Sequence, residues 1–466
     1  MVAQEKAEVL QAFLGKLPEA IAVRLAKAIE VDRLSDGKAL PHDIILEGLR
    51  PVLRGGFESK RTVTPLRMFC MPFEDLLYSR PRKEKQKGRI ARNSILPVWS
   101  WLAEVLVPDA TAAYVNGAKE AVLRHKPNSA MDCAVDYWLI AADAILQTLS
   151  TEAGRKAARK RLGDVATIED AVEMAWLLAV GPEVLEIQEA LPKPTPILEE
   201  DLLWQLREIY NRIVERVPDA GPFVAVIAMN RLERPWHALK LPLFVSRKTQ
   251  ETLIASTDMG LVGETIFGEI ESHVSAIYGV RQPNFDPEVL SGHVAGFTEL
   301  SMGIVKEVEM RRDGKWGQRL MKARADVSEA MDGIMARAPR EIMGALPMKR
   351  GSYSGGARGP DISHMPDPDK RDRALAYAHL IVAVRPFAAA ASFGAALKDA
   401  ADEVLGFLRG YNEDILRELR ADEGAHRENA SAYFELAAEL TGLVLSQEEG
   451  EYLRRRGRAA LSSAAA

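Results

Sequence analysis

Residues 61–102 set the strongest constraint on any fold this chain can adopt. The first block, RTVTPLRMFCMPFEDLLYS, and the last, SILPVWSWL, are apolar and rich in aromatics. The run between them, residues 80–92, holds seven Lys/Arg against one acid, Glu84. Apolar blocks gain free energy by leaving water, whereas unpaired charge loses it on burial. The pattern predicts a cationic loop pinned at both ends to a packed body. Its candidate binding residues are Arg80, Arg82, Lys83, Lys85, Lys87, Arg89 and Arg92, with Trp99 and Trp101 among the anchors. Gly88 gives the backbone freedom to wrap within it.

The body predicted around this loop is mainly all-α. Leu10, Leu14, Leu17, Ile21, Leu25 and Ile29 recur at helical spacing, and similar periodicity returns over most of the chain. The abundant Ala, Leu, Glu, Arg and Met lose little side-chain freedom in a helix. Residues 221–229, GPFVAVIAM, read equally as a strand or a buried helix, so at most a minor β element is expected in an irregular, multi-lobed helical stack. No repeat of fixed period is present. At 466 residues the chain exceeds one ordinary core. LPKPTP, with Pro192, Pro194 and Pro196 at alternate positions, ends any helix. A first boundary is therefore expected after an N-terminal helical domain, residues 1–191, and before a middle domain, 197–343. Residues 344–369 read as a Gly/Pro-rich linker, followed by a C-terminal helical region, 370–466, packing on the middle domain. Thr167 with Asp170, and Ser446 with Glu449, read as helix caps.

A formal net charge of −5 does not mark a dedicated nucleic-acid coat. Cys70 and Cys133, the only cysteines, exclude a disulfide framework and fit a reducing, cytoplasmic setting as buried thiols. The N-terminus lacks an apolar run of signal-peptide length. The most apolar window, residues 374–397, contains His379, Arg385 and Pro386, so a buried helix interrupted at Pro386 is expected rather than a membrane span.

Catalytic patterns are sparse. No phosphate-binding glycine loop sits in a strand–loop–helix setting; the glycines of 351–359 read as linker. Ser35 and Lys38 match S-x-x-K only across an Asp–Gly turn. Glu423 and His426, with Asp422, form one E-x-x-H, and a di-metal bundle needs a second; Glu269 and His273 are spaced by four. Asp361, His364, Asp367 and Asp369 match no calcium-loop spacing. Asp132, Asp136 and Asp143 border the apolar arc Val135, Trp138, Leu139, Ala142 and Leu146. No catalytic set, metal site or cofactor is assigned. Further basic clusters lie at 155–161, 311–324 and 454–458.

These observations predict a non-enzymatic helical scaffold or adaptor that docks a partner with an acidic face through the basic loop. The alternatives are a nucleic-acid-associated regulator using the same loop, or a contact with anionic lipid, and thirdly a helical enzyme assembled from distant residues such as Glu423, His426 and the Asp132 face. Homo-oligomerisation is left open.

Overall fold

A computed structural model describes residues 10–34, 40–53, 64–79, 85–124, 126–246, 258–280, 285–349, 359–421 and 426–463. The described residues are 80% helical, with a single two-stranded parallel sheet among them. It divides into two compact units, residues 1–245 with 258–265, and residues 246–257 with 266–466.

The first unit opens with α1 (Glu19–Leu34) and α2 (His42–Leu53), joined through Leu14, Ala22, Ile29, Ile45 and Leu49. Then come α3 (Pro65–Cys70), a 3₁₀ turn at Met71–Leu76, β1 (Leu77–Tyr78), β2 (Ile90–Ala91) and α4 (Arg92–Trp101). The helices α5 (Pro108–Leu123), α6 (Pro127–Ser150), α7 (Glu152–Leu162), α8 (Val165–Ala179), α9 (Gly181–Ala190), α10 (Glu200–Arg216), α11 (Phe223–Arg231) and α12 (Lys240–Ser246) follow. The centre of this unit is α6, which packs against α3, α5, α7, α8 and α9. Its Ala130, Ala134, Ala141 and Ala142 are buried and small enough for close helix approach, and Tyr137 and Trp138 fill the space between. Trp138 Nε1 donates to the Met68 carbonyl at 3.2 Å, and the Tyr114 hydroxyl donates to that of Pro65 at 2.7 Å. Both rings are thereby buried without an unpaired polar atom. Gly181 lies against the Trp138 ring; a Cβ there would come within 2.3 Å of Cε3.

Both apolar blocks of 61–102 enter this core. Phe69 meets Phe73 edge-on at 5.6 Å and Trp99 at 5.1 Å, while Trp99 also contacts Tyr114 and Tyr137. Trp101 is 3% exposed. The ambiguous segment 221–229 is helical, within α11, where every residue from Phe223 to Met229 is buried. The prolines at 192–196 do not separate units. Thr195 forms a parallel bridge with Leu232, donating from its N–H to the Arg231 carbonyl at 2.8 Å, and α9 packs on α10 and α11. Proline spacing ends the helix there, but neighbouring backbone takes up the freed hydrogen bonds. The unit boundary falls instead between residues 245 and 266.

The second unit holds the rest of α13 (Leu261–Tyr278), then α14 (Pro287–Glu307), α15 (Lys315–Met335), α16 (Ala338–Gly344), α17 (Pro368–Ala383), α18 (Gly394–Ala421), α19 (Arg427–Val444) and α20 (Gln447–Ser463). Residues 344–369 do not separate units either. Met348 and Pro360 pair across an antiparallel bridge, and α16 packs directly on α17; residues 350–358 lie outside the described residues. The C-terminal helices pack on α14, α15 and α16 in the same unit. The window 374–397 is two helices, α17 ending at Ala383 and α18 starting at Gly394, with Ser392 at φ 67° between them. No helix among the described residues is long and apolar enough to cross a membrane.

Candidate functional site: the anchored basic segment

The basic segment is held where it leaves and re-enters the core. Leu77 and Tyr78 of β1 pair in parallel with Ile90 and Ala91 of β2. Two residues per strand make a weak sheet by themselves. The re-entry strand β2 is secured by Lys85, whose side chain is only 11% exposed. Its Nζ donates to Asp170 Oδ1 at 2.5 Å, to Glu173 Oε2 at 2.6 Å and to the Arg89 carbonyl at 2.5 Å. All three ammonium donors are satisfied. Asp170 and Glu173 lie three residues apart on α8 and so share a face. The second oxygen of Asp170 accepts from Ser94 Oγ at 2.6 Å and from the Ala91 N–H at 3.2 Å. That carboxylate therefore sits at the N-terminus of α4, where the helix dipole favours negative charge.

The next contacts draw the segment further in. Gly88 adopts φ +71°, which favours glycine, and a Cβ there would lie 2.2 Å from Thr265 Oγ1. Arg89 Nη1 donates to Asn230 Oδ1, and Asn230 Nδ2 donates in turn to the Val226 carbonyl at 2.7 Å. Burial pulls the Arg89 guanidinium down to about 10. At Lys85 burial opposes the charge, yet Glu173 and Asp170 hold the ammonium above the usual lysine value. Burial pushes the Glu173 carboxyl up to about 7, with Lys85 pulling the other way. The neighbouring Asp170 carboxylate adds to the effect of burial, so Glu173 resists ionisation although Lys85 faces it.

The seven candidate cations thus part company. Lys85 and Arg89 turn into the protein, because Asp170, Glu173 and Asn230 satisfy them there; a single solvated surface does not describe these two. Lys87 and Arg92 are exposed. Arg80, Arg82 and Lys83 lie outside the described residues.

Comparison with known proteins adds no constraint at this point: no family model, curated protein or solved structure matches the chain.

A second buried network was not anticipated from sequence. Asp75, 8% exposed, receives both oxygens' worth of hydrogen bonds from Arg231 Nη1 (3.1 and 2.9 Å) and a third from Gln188 Nε2 at 3.2 Å. Arg231 also donates to the carbonyls of Leu191 (2.5 Å) and Gln188 (3.2 Å). The only signal was a pair of acids, Glu74 and Asp75, inside an apolar block, MPFEDLL. Asp170 likewise read as a capping acid; the cap of α8 is Asp164, whose Oδ1 accepts from the Thr167 N–H at 2.6 Å. Ser446 does accept from the Glu449 N–H, at 3.3 Å.

Other sequence candidates are dispersed. Asp132, Asp136 and Asp143 are exposed on α6, and so is Leu139, because the buried face centres on Ala134, Tyr137, Trp138 and Ala141. Glu423, Asp422, Ser35 and Lys38 lie outside the described residues; His426 sits just before α19. Among the described residues no group of three His, Cys, Asp or Glu is placed to hold a metal ion. Cys70 is buried, and burial pushes its thiol up to about 12, which makes it a poor nucleophile. In the other basic clusters, Arg311 pairs with Asp313, Arg319 with Glu271, Arg454 with Glu435 and Arg456 with Glu413.

Proposed function

We propose that this protein is a non-enzymatic helical scaffold or adaptor that docks a partner bearing an acidic face. The docking residues are Lys87 and Arg92, which are exposed, together with Arg80, Arg82 and Lys83, which lie outside the described residues. The observation that carries this reading is the division of labour among the cations. Lys85 and Arg89 anchor the re-entry strand β2, while Lys87 and Arg92 are left exposed beside it. An anchored loop loses less conformational entropy on binding than a free one, so its charges bind more tightly. Leu96, one turn beyond Arg92 on α4, is 62% exposed and supplies an apolar contact of the kind protein interfaces need.

The test is a capture experiment from native lysate with nucleic acid digested. The wild-type protein is compared with a variant carrying Arg80→Ser, Arg82→Ser, Lys83→Ser, Lys87→Ser and Arg92→Ser, read by mass spectrometry. An acidic protein captured by the wild type and lost from the variant supports the reading. Identical capture by both overturns it.

A further inference from the structure

The helix α7 reads EAGRKAARKRL, five cations against one acid. Its wheel sorts them. Ala158 and Leu162 are buried and fix the inward side. The two cations flanking that side are engaged by the protein: Arg155 Nε donates to the Leu149 carbonyl at 2.7 Å, and Arg161 pairs with Glu104 in the π-helical turn Leu102–Leu106. Lys156, Arg159 and Lys160 fall within an arc of about 100° on the other side, at 3.6 residues per turn. All three are exposed. The helix is rigidly capped, Thr151 Oγ1 accepting from the Gly154 N–H at 3.1 Å and the Gly163 N–H donating to the Arg159 carbonyl at 3.1 Å.

Cations in a last turn complement the helix dipole, which accounts for placing Arg159, Lys160 and Arg161. It does not account for Lys156, a turn earlier, nor for three exposed cations on one arc. What this face lacks is equally informative. Glu152, exposed one turn before Lys156, shares this arc and leaves the face net positive; the other exposed side chains, Ala153 and Ala157, are not large apolar groups. A protein partner gains most of its affinity from desolvated aromatic, aliphatic or Arg anchors in pockets. A phosphate backbone needs none, because neutralising phosphates releases counterions. No aromatic ring lies on the face for base stacking.

We infer that the Lys156–Arg159–Lys160 face of α7 binds the phosphate backbone of nucleic acid without reading its bases. This site is separate from the protein-docking residues of the basic segment and stands without them.

The experiment is fluorescence anisotropy with the full chain and a short fluorescein-labelled DNA duplex, titrated over a range of salt. Anionic phospholipid vesicles and poly-glutamate serve as parallel probes. The expected result is duplex binding at low salt, independent of sequence, weakened about tenfold or more by Lys156→Ser, Arg159→Ser and Lys160→Ser together. The log–log salt slope falls by about three in that variant. Lys87→Ser with Arg92→Ser leaves duplex binding unchanged, which separates this site from the docking reading. A charge-reversing Lys160→Glu alone, at unchanged melting temperature, weakens binding in the same direction. Absence of duplex binding, equal affinity in the triple variant, or tighter binding to vesicles or poly-glutamate overturns the inference.

Discussion

Lys85 Nζ lies 2.5 Å from Asp170 Oδ1 although the two residues are 85 positions apart in sequence. With Glu173 at 2.6 Å, the contact ties the re-entry of a cationic segment to the face of α8. The same Asp170 receives Ser94 and the Ala91 N–H, so one carboxylate joins a strand, a helix start and a lysine. Exposed charge and anchoring charge come from one run of sequence, and among the described residues they are separated by which side chains find acceptors inside.

Replacing Lys85 by Met leaves Asp170, 2% exposed, without its cation. Removing one partner of a buried ion pair costs about 3–5 kcal/mol. Urea denaturation should show a loss of that size for Lys85→Met. A variant as stable as wild type would show that the pair does not secure the strand.

Glu173 gives a pH signature of defined sign. Its carboxyl is raised from 4.5 to about 7 in the folded protein, so between those values the native state holds a proton the unfolded chain has lost. That contribution stabilises fully below about pH 4.5 and is lost as pH rises through about 7, by about 3 kcal/mol at most. Glu173→Gln, a neutral isostere, should flatten the stability–pH curve in this window relative to wild type. It should also be no less stable than wild type at pH 8, in contrast to Lys85→Met. A Gln variant that is markedly weaker at pH 8 would show that the ionised carboxylate is the favoured form.

Gly88→Ala should destabilise through two separable causes. The left-handed backbone costs about 1–2 kcal/mol with a Cβ present. The remainder comes from the 2.2 Å approach to Thr265 Oγ1. Adding Thr265→Ala should recover the second part only, as a positive coupling in a double-mutant cycle. Strict additivity would mean that the turn does not press on Thr265.

Trp101→Ala should cost about 3–5 kcal/mol, since the ring is 3% exposed in the core of the first unit. Trp99→Ala should also destabilise, because its ring contacts Phe69, Tyr114 and Tyr137. Thermal melts of both variants matching wild type would contradict the anchoring of the second apolar block.

The helical class was legible because period-3.6 spacing survives in nearly every segment, from Leu10 to the Ser446 cap. So was the anchoring of the charged run, since rings such as Phe69 and Trp101 leave water wherever a core exists. The partition of the cations was not legible. Lys85 and Lys87 are chemically alike and two residues apart, and only tertiary placement of Asp170 and Glu173 distinguishes them. The prolines at 192–196 lie inside one compact unit, because a proline cluster reports the end of a helix, not the end of a core. At Asp132 and Leu139 the wheel was rotated slightly: small buried alanines, which weigh little in a hydrophobic count, set the true inward face of α6.

The most direct measurement pairs two readouts on two variants. The docking set proposed above, Arg80→Ser, Arg82→Ser, Lys83→Ser, Lys87→Ser and Arg92→Ser, and the inner change Lys85→Met, are each assayed for melting temperature and for capture of an acidic protein. Exposed charges, such as Lys87 and Arg92, contribute little to folding. The account predicts that the docking set keeps its melting temperature and loses capture, while Lys85→Met melts early. A docking set that binds as wild type does, or that unfolds as readily as Lys85→Met, would contradict it.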